Sequence, residues 1–148
     1  VTFLLDVNVL IALIDPSHVG HEAAHHWFEA EGSASWASCP ITQNGLIRIV
    51  GHPKYPNSPG SPASIAPILR SLCALPGHIF WPDAIDITAS GTIDMAKILT
   101  HAQVTDTYLL ALAAHHGGQL ATFDRRLATA AVSGGRKALR IIEGLTPA

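Results

Sequence analysis

The chain is poor in charge. Only 14% of its 148 residues are Asp, Glu, Lys or Arg, while 48% are apolar. That balance excludes a disordered segment, which lacks the apolar surface to offset its ordering entropy. A chain of this length buries about 70% of its unfolded surface. Cysteine is scarce: Cys39 and Cys73 are the only two. They make no disulfide framework and suit reduced core thiols in a cytoplasmic protein. No apolar run approaches the ~20 residues that span a bilayer, so no membrane attachment is expected. The N-terminus has neither a basic region nor a small-residue cleavage site, and no signal peptide is expected. Absent too are a G-x-x-x-x-G-K-[ST] or G-x-G-x-x-G phosphate loop and a serine in a nucleophile elbow. The net charge of −2 does not advertise nucleic-acid binding, although a local basic patch acts against a near-neutral whole. Arg125, Arg126, Arg136, Lys137 and Arg140 place five of the nine basic residues in the last 24 positions.

What is present is an alternation of strand-like and helical stretches. Phe3–Leu5 is a short apolar run that stops on Asp6, and Val7–Ile14 follows as a helix. Asp15-Pro16-Ser17 breaks it. Ser17 or Asp15 caps the next expected helix, Val19–Glu31. A strand is expected over Ser35–Cys39, stopped by Pro40, then a helix over Ile41–Val50 in which Gly45 is a weakness. Gly51–Pro62 carries four prolines and two glycines, and reads as an exposed, mobile loop. Helices follow at Ala63–Leu75, Thr92–Leu99, Val104–His116 and Arg125–Ala131. Strands follow at His78–Trp81, Gln119–Phe123 and Ala138–Ile142. Strands alternating with helices imply a single α/β domain over residues 1–148: a parallel sheet with helices on both faces. Right-handed crossovers put the carboxyl ends of all strands on one edge, where such folds bind ligands.

Three carboxylates point to that edge. Asp6 and Asp124 each follow an apolar strand-like run, and Asp106 lies in the first turn of the most apolar helix. Like charges held close raise one another's pKa or demand a cation. A few carboxylates with water ligands are the Mg²⁺ pattern, which serves phosphodiester chemistry without a protein nucleophile. Each acid also has a structural reading. Asp106 complements a helix dipole, and Asp124 caps a helix starting at Arg125.

Leu4-Leu5-Asp6-Val7-Asn8, the stretch Val104-Thr105-Asp106-Thr107-Tyr108-Leu109-Leu110-Ala111-Leu112-Ala113, and Leu120-Ala121-Thr122-Phe123-Asp124-Arg125-Arg126-Leu127 together resemble the PIN domain. The nearest kind is the VapC-type ribonuclease toxin of bacterial toxin–antitoxin pairs. The resemblance covers essentially the whole chain. It implies a helix-sandwiched parallel sheet and Mg²⁺- or Mn²⁺-dependent endoribonuclease chemistry. It implies Asp6, Asp106 and Asp124 as metal-site residues, with Asn8 and Thr122 ordering the site by hydrogen bonds. It also implies a homodimer, and an antitoxin whose C-terminal segment covers the acidic cleft. One position departs from the pattern: Gln43 stands where the family has glutamate, and no glutamate occurs between Glu31 and Glu143. An amide keeps shape and one acceptor but loses charge. Two readings follow, a natural variant working with fewer acids, or a deliberate inactivating substitution in a toxic protein; the rival to a nuclease is an inactivated PIN-like module that binds RNA or a protein. Arg125 and Arg126, beside Asp124, are expected either to contact the RNA backbone or to be plain helix-surface charge. Loops such as Gly51–Pro62 are expected to select the RNA.

Competing constellations are weaker. His21 and His25, four apart, form at most a zinc half-site with no further ligand pinned nearby. A haloacid dehalogenase-like phosphatase needs an Asp where Asn8 stands. A receiver domain needs an adjacent acidic pair. Trp27, Phe28, Leu46 and Ile47 make an apolar stripe that is either core or a partner surface.

Overall fold

The computed structural model describes residues 1–89 and 91–144. Its centre is a five-stranded, wholly parallel sheet in the order β3-β2-β1-β4-β5. The strands are β1 (Phe3–Leu5), β2 (Trp36–Ser38), β3 (His78–Phe80), β4 (Gln119–Thr122) and β5 (Leu139–Ile141). The helices are α1 (Val7–Ile14), α2 (His21–Ala30), α3 (Pro40–Val50), α4 (Pro62–Cys73) and α5 (Val104–His115). This is the expected α/β sandwich. Alternation along β1 divides the core: Phe3 and Leu5 join the side chains of α1–α4, while Leu4 joins those of α5 on the opposite face. Helix α5 is buried from Thr107 to Ala113, as its lack of a polar face requires.

Local chemistry sets the element ends. Asp6 is the N-cap of α1, its Oδ1 accepting from the Val7 N–H at 2.8 Å. The Thr42 side chain accepts from the Cys39 N–H at the start of α3, at 2.9 Å, with Pro40 in the first turn. Ser61 caps α4 ahead of Pro62, the arrangement favoured at helix starts. Helix α2 begins later than expected and its N-cap is Gly20. The Asp15 and His18 side chains instead bond the N–H groups of Ser17 and Gly20, holding this stretch in turns.

Two expected helices do not form. In place of Thr92–Leu99 there is a three-residue 3₁₀ turn, Met95–Lys97, and Ile93 bridges Val132. In place of Arg125–Ala131 the chain makes turns. Both stretches open alike: Asp94 accepts from the Ala96 N–H, and Asp124 from the Arg126 N–H at 2.9 Å. Such a bond caps a first turn, and in neither stretch does that turn propagate into a helix.

The histidines and the apolar stripe are structural. His21 and His25 donate to the Ala12 and Leu13 carbonyls at 2.7 and 2.8 Å. They satisfy acceptors that the last turn of α1 leaves unpaired. Trp27, Phe28 and Leu46 are buried core, and Ile47 packs against them. The stripe is therefore mostly interior.

The proline-rich loop is fastened. Tyr55 packs on the core and its hydroxyl donates to Asp15 Oδ2 at 2.5 Å, while Ser58 donates to the Val50 carbonyl. The Tyr55 bond, the largest influence, holds the Asp15 carboxyl below its ordinary value. Asp15 thus contributes stability above the unfolded value near 3.8, and that contribution is lost as pH falls through the folded one. Tyr55→Phe should cost about 1 kcal/mol at pH 7, allowing for solvent screening. The penalty should shrink below pH 4, as read by urea unfolding of both chains across pH.

Candidate active site

The strand order reverses beside β1: the chain moves from β1 to β2 on one side and later returns to β4 on the other. Open α/β sheets bind ligands at such a switch point, beyond the carboxyl ends. Asp6 directly follows β1 and Thr122 ends β4, and the Asp6 N–H bonds the Ala121 carbonyl at 2.9 Å. The Thr122 hydroxyl donates to Asp6 Oδ2 at 2.8 Å. The same hydroxyl accepts from Asn8 Nδ2 and from the Asp124 N–H, each at 3.1 Å. Its single donor and both lone pairs are thereby used. Asn8 Oδ1 accepts from the Phe123 N–H in turn, at 3.4 Å. Asp6 is 7% exposed and oriented through both oxygens.

Asp106, in the first turn of α5, lines the same cleft as Asp6. A carboxylate serving only a helix dipole would have its pKa lowered. Asp106 is instead pushed up to about 6, by desolvation first and then by the charges of Asp6 and Asp124. Asp6 is raised as well, chiefly by burial, against the lowering effect of the Thr122 bond. Asp124 is not among the cleft-lining residues, yet its charge raises both neighbours. It also bonds the Arg126 N–H, so part of its role is local.

The cleft encloses about 670 Å³ between the starts of α1 and α5 and one face of α3. From α3 come Pro40, Ile41, Asn44, Gly45, Arg48 and Ile49. Gly45 is where α3 presses on α1: a Cβ there would lie 2.8 Å from a Val7 methyl. The expected weakness of the helix is a close approach. Gln43 is not on this wall. Its amide donates to the buried Ser38 Oγ at 3.0 Å, and that oxygen also bonds His78 Nε2 at 2.7 Å. Arg125 is exposed and paired with Glu143, and Arg126 is exposed; neither lines the cleft.

Two cleft residues were not anticipated, Asp83 and Arg48. Asp83 sits just past β3 and lines the cleft with Asp6 and Asp106. The rule that found Asp6 and Asp124, an acid after an apolar run, also fits His78–Trp81 followed by Asp83. Arg48 carries no motif of its own. Among the described residues no group of three or more His, Cys, Asp or Glu side chains is placed to hold a metal ion. The donor set is hard oxygen from a few carboxylates. It fits Mg²⁺ or Mn²⁺ completing its shell with water, and does not fit a closed zinc site.

The PIN domain family model matches residues 3–133. The chain belongs to the PIN domain family. Over 134 residues it is 46% identical to Ribonuclease VapC44 of Mycobacterium tuberculosis, across 90% of this chain and 94% of that one. Ribonuclease VapC39 of the same organism is 43% identical over 133 residues, 90% of this chain and 96% of that one. Ribonuclease VapC29 is 41% identical over 127 residues, 86% of this chain and 89% of that one. The span of the PIN match holds Asp6, Asp83, Asp106 and Asp124 and stops before β5.

The crowding of carboxylates should be measurable in this PIN domain. The raised pKa of Asp106 means that the folded chain holds the proton more tightly than the unfolded one. Its favourable contribution is full below about pH 4 and is lost as pH rises through about 6. Asp106→Asn should therefore raise stability at pH 7.5 by roughly 1 kcal/mol in metal-free buffer, since the group is only partly buried and solvent screens part of the repulsion. That corresponds to about 2–4 °C in thermal unfolding. The gain should vanish near pH 4.

Proposed function

We propose that this PIN domain is a divalent-metal-dependent endoribonuclease that acts as the toxin of a toxin–antitoxin pair. The observation that carries the reading is the meeting of Asp6 and Asp106 in one cleft, within the field of Asp124, in a chain 46% identical to a ribonuclease. Asp6 and Asp106 would hold Mg²⁺ or Mn²⁺, with Asp124 adding negative potential beside them. When bound, a cation would supply charge stabilisation to the phosphoryl oxygens and lower the pKa of water, favouring hydroxide as the nucleophile.

The side chains do the rest. Thr122 fixes the Asp6 carboxylate by donating to it, and Asn8 fixes Thr122. Burial keeps bulk water from screening Asp6, so its charge acts strongly on whatever enters the cleft. The negative wall also suits inhibition: a basic antitoxin side chain among these carboxylates would compete directly with a cation. A homodimer is part of the same reading. No helix among the described residues is long and apolar enough to cross a membrane. A cytoplasmic toxin is in keeping with the two free cysteines.

The rival reading, a binding module without useful cleavage, draws on Gln43. Its bond to Ser38 argues that this amide supports β2 and β3 and contributes little to the cleft. Gln43→Glu should therefore change Mg²⁺-dependent cleavage of a labelled RNA by less than about tenfold, the lower end of what a supporting residue costs a metal site. A gain of a hundredfold or more would favour the inactivated module. Cleavage itself should stop in EDTA and return with Mg²⁺ or Mn²⁺. Asp6→Asn should lower it by about 10²–10³-fold, and Thr122→Val by about 10–100-fold. Cleavage indifferent to EDTA and to Asp6→Asn would reject the mechanism.

A further inference from the structure

The acids that suit a cation do not suit a substrate. Asp6, Asp83 and Asp106 all face the cleft, and each repels a phosphodiester backbone. Among the cleft-lining residues one has the opposite sign, Arg48. It is exposed and stands one helical turn after Asn44 on the cleft face of α3. None of the ion pairs among the described residues engages it. Arg125 and Arg140, from the basic C-terminal stretch, are committed to Glu143 and Glu31. Geometry ties Arg48 to the acids. The close approach of Gly45 to Val7 sets α3 against the residue that follows Asp6.

We propose that Arg48 is the substrate-binding residue of this cleft, its guanidinium taking a backbone phosphate of single-stranded RNA next to the bond that is cut. This rests on the ribonuclease reading and deepens it. The division of labour is electrostatic. The cation that the carboxylates would hold suits the phosphate that reacts, and Arg48 takes a neighbouring one, which sets the register of the strand. Arginine suits this task because its planar fork gives two parallel N–H···O bonds to one phosphate, which a lysine cannot.

The experiment separates binding from cleavage. In an Asp6→Asn chain, affinity for a fluorescent single-stranded RNA is measured by anisotropy across a salt series. Adding Arg48→Ala should weaken binding roughly tenfold at low salt. It should also reduce the slope of log Kd against log salt by about 0.7, the loss of one phosphate contact on a single strand. Arg48→Lys should keep the slope and recover only part of the affinity. Arg70→Ala, on the exposed side of α4, should change neither. In the otherwise native chain, Arg48→Ala should raise KM more than it lowers kcat. Circular dichroism checks that the exposed substitution leaves the fold intact. Unchanged affinity and slope in Arg48→Ala, with the native chain cleaving RNA, would overturn the role of Arg48 alone. Weakened binding beside a native chain that cleaves nothing would overturn the ribonuclease reading and keep Arg48. A chain that binds no RNA would overturn both.

Discussion

One hydroxyl holds the two halves of this site together. Thr122 belongs to β4 and Asp6 follows β1, strands separated by more than a hundred positions and joined side by side in the sheet. The hydrogen bond between them gives a buried carboxylate the partner it needs to stay where it is. Because the same oxygen accepts from Asn8 and from the Asp124 backbone, it also fixes the start of α1 and the turn that follows β4. The sheet supplies the proximity, and Thr122 converts proximity into a fixed orientation.

Against that order stands electrostatic discomfort. Burial and mutual repulsion raise both Asp6 and Asp106, so the folded chain holds charge that it would shed more readily than water-exposed acids do. Functional sites are where such costs concentrate. The fold tolerates them because its apolar packing is extensive on both faces of the sheet, from Leu10 and Trp36 on one side to Leu109 and Leu112 on the other. A cation in the cleft would turn the repulsion into attraction, so the stress in the free protein would become affinity for that cation.

The legible parts of the sequence were those where local and long-range physics agree. Phe3–Leu5 is apolar on both sides because the strand is covered on both faces, and Asp6 both ends it and caps the next helix. Val104–His115 lacks a polar stripe because it is buried. Helix was not legible where the chain makes a capped turn and does not propagate it, as after Asp94 and Asp124. The orientation of α3 was not legible either. Residues 41, 44, 45 and 48 share its cleft face, and Gln43 lies about 100° round the helix from Asn44. Sequence spacing shows which residues share a face. Only packing shows which face meets the acids. Asp83 is not legible because Pro82 separates it from the apolar run, so it does not directly follow a strand as Asp6 and Asp124 do.

Gly45 gives the cleft a property that no acid controls. Since α3 touches α1 at the point where a side chain is missing, the distance between the two walls is set by an absent methyl group. A larger residue there would act as a wedge, lifting Asn44 and Arg48 away from Asp6 while leaving every charge in place. Cleft width and cleft chemistry are thus independent variables in this architecture. Changing the spacing of these two helices would reshape the cleft without altering its carboxylates.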